Sequence, residues 1–296
     1  MLIWRSRQQE GTALASAPRI GVALGSGGAR GLAHISYIEA LDEMGLRPAV
    51  IAGTSIGALF GAGWASGMTG AELREHALRV LTSFQETAGR LWMSSRPTIK
   101  GVMENGISIQ VDAGNLTEAF LPEGFPDDFA ALGIPLKVVA TDFYAWQSVV
   151  FCEGRLRQAI AASLAIPGLL RPVRMEQQLF IDGGASNPLP VDLVRAECDI
   201  AIGIDVNGQP DPTPDAPEPS PFDVGFVATQ IMTAAIVRGA LALHAPDIYV
   251  HAPVRGIRTL EFWRVRELLE QTDQAKDEFK RSVEASLAAA TGGRAP

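Results

Sequence analysis

Residues 48–71 run for 24 positions without a charged side chain, and six of the 24 are glycine. That length is enough to cross a bilayer. The glycines, the scattered Ser and Thr, and the change of character at Thr54 argue instead for two soluble elements: a buried strand over 49–52 and a helix from Ile56 to about Ser66. The same grammar appears one unit earlier. Residues 19–24 form a short apolar run, and Leu32, Ile35, Ile38, Leu41 and Met44 then recur at helical spacing. Gly45 closes that helix and Pro48 blocks its continuation. Strands alternating with helices of this length predict an α/β fold with a central, mostly parallel sheet joined by right-handed crossovers.

The remaining elements follow by period. A helix is expected over 71–83, and strands over 136–141, 148–152, 178–181, 200–206 and 248–251, with helices over 156–163 and 191–196. Residues 89–109 show no clear period and read as a loop or lid. Residues 208–221 hold six prolines and three acids, the composition of an extended surface loop. Residues 222–243 form a nearly uncharged helix whose apolar positions run all the way round, which predicts burial against the sheet. Residues 259–287 read as a charged amphipathic helix or helix pair.

Composition removes several function classes. At 47% hydrophobic the chain carries too much apolar surface for disorder. With 25 Lys+Arg against 33 Asp+Glu, a net charge of −8 and no basic run, it lacks the footprint of a nucleic-acid binder. Cys152 and Cys198 suggest neither a disulfide framework nor a metal-ligand spacing. Residues 1–18 lack the apolar core of a secretory signal and read as an extension ahead of the fold, which points to a cytoplasmic protein.

Two glycine-rich segments fall where strands end and helices begin. In Gly53-Thr54-Ser55-Ile56-Gly57, a G-x-S-x-G, small residues on both sides allow the strained turn that pushes a nucleophilic serine out of the sheet. The plainer reading makes Ser55 a helix N-cap and Gly53 and Gly57 packing residues. In Gly25-Ser26-Gly27-Gly28-Ala29-Arg30-Gly31, glycine amides at a helix start form a nest for an anion, either a phosphate or a transient oxyanion. Neither a Walker Lys nor a Rossmann ribose-binding acid follows. Consecutive parallel strands bring both segments to one sheet edge. Arg30 then either braces the loop or meets an anionic substrate group.

A serine nucleophile needs a base. Of the four histidines, His34 and His76 fall mid-helix and read as structural, while chain order leaves His244 and the strand-ending His251 as rivals. The other candidate is Asp182, in Asp182-Gly183-Gly184 directly after a short apolar strand, where the two glycines also make an ordinary turn. As a base, Asp182 requires burial and a direct hydrogen bond to the serine.

Taken together, these residues resemble the patatin-like phospholipases, especially the compact bacterial members. The glycine loop is similar to that family's oxyanion-hole motif, Gly53 to Gly57 to its elbow, and Asp182-Gly183-Gly184 to its aspartate motif; Ala162-Ser163-Leu164-Ala165-Ile166-Pro167 resembles a block found ahead of it. The resemblance implies a three-layer α/β/α sandwich over 19–290 as one catalytic domain, and a Ser55–Asp182 dyad with Gly27, Gly28 and Ala29 as oxyanion donors. It further implies Arg30, Gly53, Gly57 and Gly183 in support, no metal and no cofactor. The implied substrates are phospholipid or lysophospholipid acyl esters. Ser26 stands where the simplest triple-glycine form of the motif has its first glycine. In 89–109, Leu91, Trp92 and Met93 beside Arg90, Arg96 and Lys100 suggest peripheral contact with the inner membrane face. A His251-dependent esterase and a phosphate- or nucleotide-binding module are the alternatives.

Overall fold

The computed structural model of the chain describes residues 17–94, 112–209, 218 and 221–292. Eight strands form one sheet: β1 (Ile20–Leu24), β2 (Val50–Thr54), β3 (Leu136–Asp142), β4 (Gln147–Phe151), β5 (Val173–Met175), β6 (Gln178–Asp182), β7 (Ile200–Asp205) and β8 (Ile248–His251). Their order is β5-β6-β3-β2-β1-β7-β8, with β4 paired to β3 off that path. Strands β3, β2, β1, β7 and β8 pair in parallel, and β4, β5 and β6 in antiparallel fashion.

The helices are α1 (His34–Glu43), α2 (Ile56–Ala65), α3 (Gly70–Ser94), α4 (Ala113–Phe120), α5 (Leu156–Leu164), α6 (Val191–Arg195), α7 (Pro221–Leu243), α8 (Val265–Asp273) and α9 (Lys276–Gly292). Alternating strand residues divide the packing between two faces, as the pleat requires. Val22, Leu24, Ile51 and Ile202 join the large core shared with α1, α2, α8 and α9. Ala23, Val50, Ala52 and Ala201 point the other way, toward Val191, Val194 and Val237 of α6 and α7. The result is a three-layer α/β/α sandwich with one thick helical layer and one thin one.

Two expectations change. The helix that starts at Gly70 continues to Ser94, so the first residues of the segment read as a loop or lid are helical; 95–111 lie outside the described residues. Most of the proline-rich 208–221 and all of 1–16 do so too. The second change is larger. Helix α7 is apolar all round but is not covered: its apolar stretch Val224–Leu243 is 6% buried, and Val237 alone among those residues is fully inside. Uniform apolarity describes the surroundings a helix favours, and the described part of this fold supplies little of them.

Candidate active site

Register brings Ser55 and Asp182 together. Val138 and Val139 of β3 pair with β4, while Val138 also meets Gly53 of β2 and Val139 meets Thr54. Ala140 to Asp142 pair with β4 and with β6, Ala140 opposite Asp182. Strands β2 and β6 therefore lie on the same side of β3 and run head to head, so the residue after Thr54 faces the last residue of β6. The Ser55 hydroxyl donates to Asp182 Oδ2 at 2.5 Å.

Ser55 sits at the N-cap position of α2, yet its side chain makes no capping bond. Its backbone has φ 57 and ψ −125, a strained conformation for a residue with a Cβ. Neighbours hold it there. The Ser55 N–H donates to Ser163 Oγ at 2.8 Å, and the Ser163 hydroxyl donates onward to the Val139 carbonyl at 2.6 Å. The turn also requires close approach: a Cβ on Gly57 would stand 2.2 Å from the Leu24 carbonyl oxygen. Gly53 lies within β2, one residue before its end, and Gly183 opens the single 3-10 turn after Asp182.

Asp182 is buried, and burial pushes its carboxyl up to about 6. The hydrogen bonds from Ser55 and from the Gly184 N–H, the latter at 2.7 Å on Oδ1, act against that rise by favouring the carboxylate. The Thr141 hydroxyl donates to the Asp182 carbonyl at 3.0 Å and fixes the backbone. This is a carboxylate hydrogen-bonded to one hydroxyl, with a proton affinity raised toward neutrality.

The glycine loop meets the same place from β1. Gly27 and Gly28 line a cavity of about 570 Å³ with Ser26, Ser55 and Asp182, and their amides bond to no described residue. Ala29 differs, because its N–H donates to the Thr259 carbonyl at 2.7 Å and cannot serve an oxyanion at the same time. Gly28 has φ +59, and a Cβ there would fall 2.4 Å from that same carbonyl oxygen, so the loop is fitted to the segment after β8. Arg30 braces this fit through Thr259 Oγ1 at 2.8 Å and Gln230 Oε1 at 3.1 Å. Burial brings its guanidinium down to about 10, against the charge of Asp205. His34 supports the loop from beneath: its Nε2–H donates to the Gly25 carbonyl at 2.8 Å, and burial pushes its pKa down to about 4. It is a neutral structural imidazole.

The rival histidines fall elsewhere. His251, at the end of β8, contacts Asp205, Nδ1 to Oδ2 at 3.3 Å; β7 and β1 separate β8 from β2, and His251 does not line the Ser55 cavity. His244 is exposed, and His76 bonds the Phe120 carbonyl. A smaller cavity of about 320 Å³ beside Leu81 and Arg264 holds none of these residues. Ser163 and Thr141 were not singled out by their own chemistry; for Ser163 the signal was the block that contains it.

Comparison with known proteins identifies the family. The family model described as patatin-like phospholipase matches residues 22–195, more than half of the chain. An uncharacterized NTE family protein of Mycobacterium tuberculosis is 38% identical over 196 residues, covering 65% of this chain and 50% of the relative. Patatin-like phospholipase domain-containing protein 7 of Rattus norvegicus is 27% identical over 278 residues, 85% of this chain and 20% of the relative. The chain thus spans half or less of the length of these curated relatives. Among solved structures, ExoU from Pseudomonas aeruginosa, in its complex with SpcU, aligns at a TM-score of 0.46 and 16% identity over 92% of this chain and 52% of that one. The chain belongs to the patatin-like phospholipase family.

Proposed function

We propose that this chain is a serine acyl-ester hydrolase acting on phospholipid or lysophospholipid esters at a cytoplasmic membrane face through a Ser55–Asp182 dyad. The observation that carries the reading is the 2.5 Å hydrogen bond from the Ser55 hydroxyl to a buried carboxylate. As the Ser55 oxygen attacks the acyl carbonyl carbon, its proton passes to Asp182 Oδ2. The carbonyl oxygen becomes an anion, to which the Gly27 and Gly28 amide N–H groups donate. The tetrahedral intermediate expels the alcohol, and Asp182 returns the proton to that leaving oxygen. Water then replaces the alcohol: Asp182 takes one of its protons, the hydroxide attacks the acyl-serine, and collapse frees the fatty acid while Ser55 regains its proton.

Ala29, Ser163, Thr141, Arg30 and His34 act through position. They hold the loop, the elbow and the aspartate in place.

The test is a panel of dispersed short-chain esters, lysophospholipids and phospholipids, turned over by wild type, Ser55→Ala and Asp182→Asn, alongside labelling by a fluorophosphonate probe. Both variants are expected to lose turnover by about four orders of magnitude, with label on Ser55 of wild type alone. Equal turnover in all three proteins, or a folded wild type that resists the probe, removes the reading.

A further inference from the structure

The turn joining β3 to β4 presents three aromatic residues to solvent: Phe143, Tyr144 at 68% exposure and Trp146 at 88%. The turn is firmly built. The Asp142 carboxylate accepts from the Tyr144 and Ala145 amides at 2.9 and 3.0 Å, and the Gln178 side-chain amide donates to its other oxygen at 2.9 Å. The Trp146 N–H closes the turn onto the Asp142 carbonyl, with Trp146 itself at φ 54. A left-handed backbone is costly for so bulky a residue, and an indole held out in water gives nothing back. The arrangement becomes favourable only when something apolar receives the ring.

Its location is specific. Strand β3 runs parallel to β2, so the turn leaves the sheet at the edge where Ser55 lies. Helix α7 borders the same cavity: Phe226 and Ile236 line it, while Val224, Val227 and Ile231 stand exposed. Residues 224–243 contain one charge, Arg238. The helix is long and apolar enough to cross a membrane, but Gln230 bonds Arg30 and Val237 sits in the thin-layer core, so it is held along the domain.

We propose that the β3–β4 turn and the exposed flank of α7 dock this domain on a lipid surface, with the Ser55 cavity at that surface. The proposal rests on the reading of the cavity as a lipid acyl hydrolase. Trp and Tyr, apolar rings with a polar handle, suit the boundary between acyl chains and headgroups. Exposed Arg174 lies near the turn, since it pairs with Leu179, whose carbonyl accepts the Phe143 N–H. It suits a headgroup phosphate, and the exposed Glu176 offsets its charge, so apolar insertion leads the binding.

The test is co-sedimentation with vesicles of phosphatidylcholine, alone and mixed with phosphatidylglycerol, at low and high salt. Wild type and Ser55→Ala are expected to bind both compositions with little salt dependence. Tyr144→Ser/Trp146→Ser and Val227→Ser/Ile231→Ser should each bind about tenfold more weakly or worse, yet keep wild-type turnover of a dispersed butyrate ester. Quenching by brominated lipid should fall when Trp146→Phe replaces wild type. Absence of wild-type binding, or unchanged binding in both double variants, overturns the proposal. So does a wild-type dimer in sedimentation that these substitutions dissociate without loss of vesicle binding, which assigns the surface to a second copy. Vesicle binding by Ser55→Ala is independent of chemistry. A wild type that binds vesicles but leaves every ester intact therefore defeats the hydrolase reading, while the docking surface stands.

Discussion

A carboxylate that must deprotonate a hydroxyl works best when its proton affinity approaches that of the medium, and burial moves Asp182 that way, from 3.8 to about 6. In the proposed mechanism Asp182 acts as the carboxylate, so kcat/KM on a dispersed ester should rise with pH through about 6 and level off above it. A profile flat between about pH 5 and 8 would contradict this assignment. The same group affects stability. Its folded pKa lies above its unfolded one, so the contribution favouring the fold is fully present below 3.8 and is lost as pH rises through about 6. Asp182→Asn is never ionised. Relative to wild type, its unfolding free energy should therefore improve between acid and neutral pH, by an amount on the order of 3 kcal/mol at most, and its thermal midpoint should rise with it. A difference in midpoint that does not change with pH would show that burial is not what raises the carboxyl. At this scale Ser55, Asp182 and the glycines stood out from residue type and position, and the structure brings them to one cavity. It could not show that the Ala29 amide is already bound, because Thr259, its acceptor, lies 230 residues away in the chain.

Elements carry these residues to each other, and the closest fit is where α2 crosses the end of β1. Gly57→Ala would force a methyl carbon against the Leu24 carbonyl, a backbone atom that cannot swing aside. An unfolding free energy lower by about 3 kcal/mol in urea melts is expected, along with loss of probe labelling as the elbow shifts. Strand and helix alternation around both glycine segments was legible from period alone, since each apolar run met a turn signal. Strand β5 was not, being three residues long. The head-to-head meeting of β2 and β6 was also hidden, because antiparallel return strands carry no mark of which side of β3 they will take. The exposure of α7 was misread for a different reason. Apolar residues on every side predict an apolar environment, and the sequence does not say whether the protein or its surroundings provide it.

In the molecule as a whole, binding features and structural ties occupy different places. The strand ends carry Ser55, the glycine loop and the aromatic turn, while the terminal helices are tied to α1 and α3 by a network joining Glu39, Glu43, Arg74, Asp273, Lys276 and Lys280. Beneath it Phe279 packs edge-on against the buried Tyr37 at 5.1 Å. Phe279→Ala should cost about 3–4 kcal/mol of unfolding free energy while leaving the pH profile of turnover unchanged, as melts and rate measurements on the same samples would show. Sheet order bears on how this family can be dissected. The family match ends at residue 195, before β7, yet β7 lies beside β1, and the glycine loop is pinned by Thr259. Cutting a minimal enzyme at the border of the match would turn β1 into a naked edge, open to pairing with other chains, and release the loop it carries. The portable unit of this architecture is the full order of strands through β8, longer than the stretch that sequence likeness marks out.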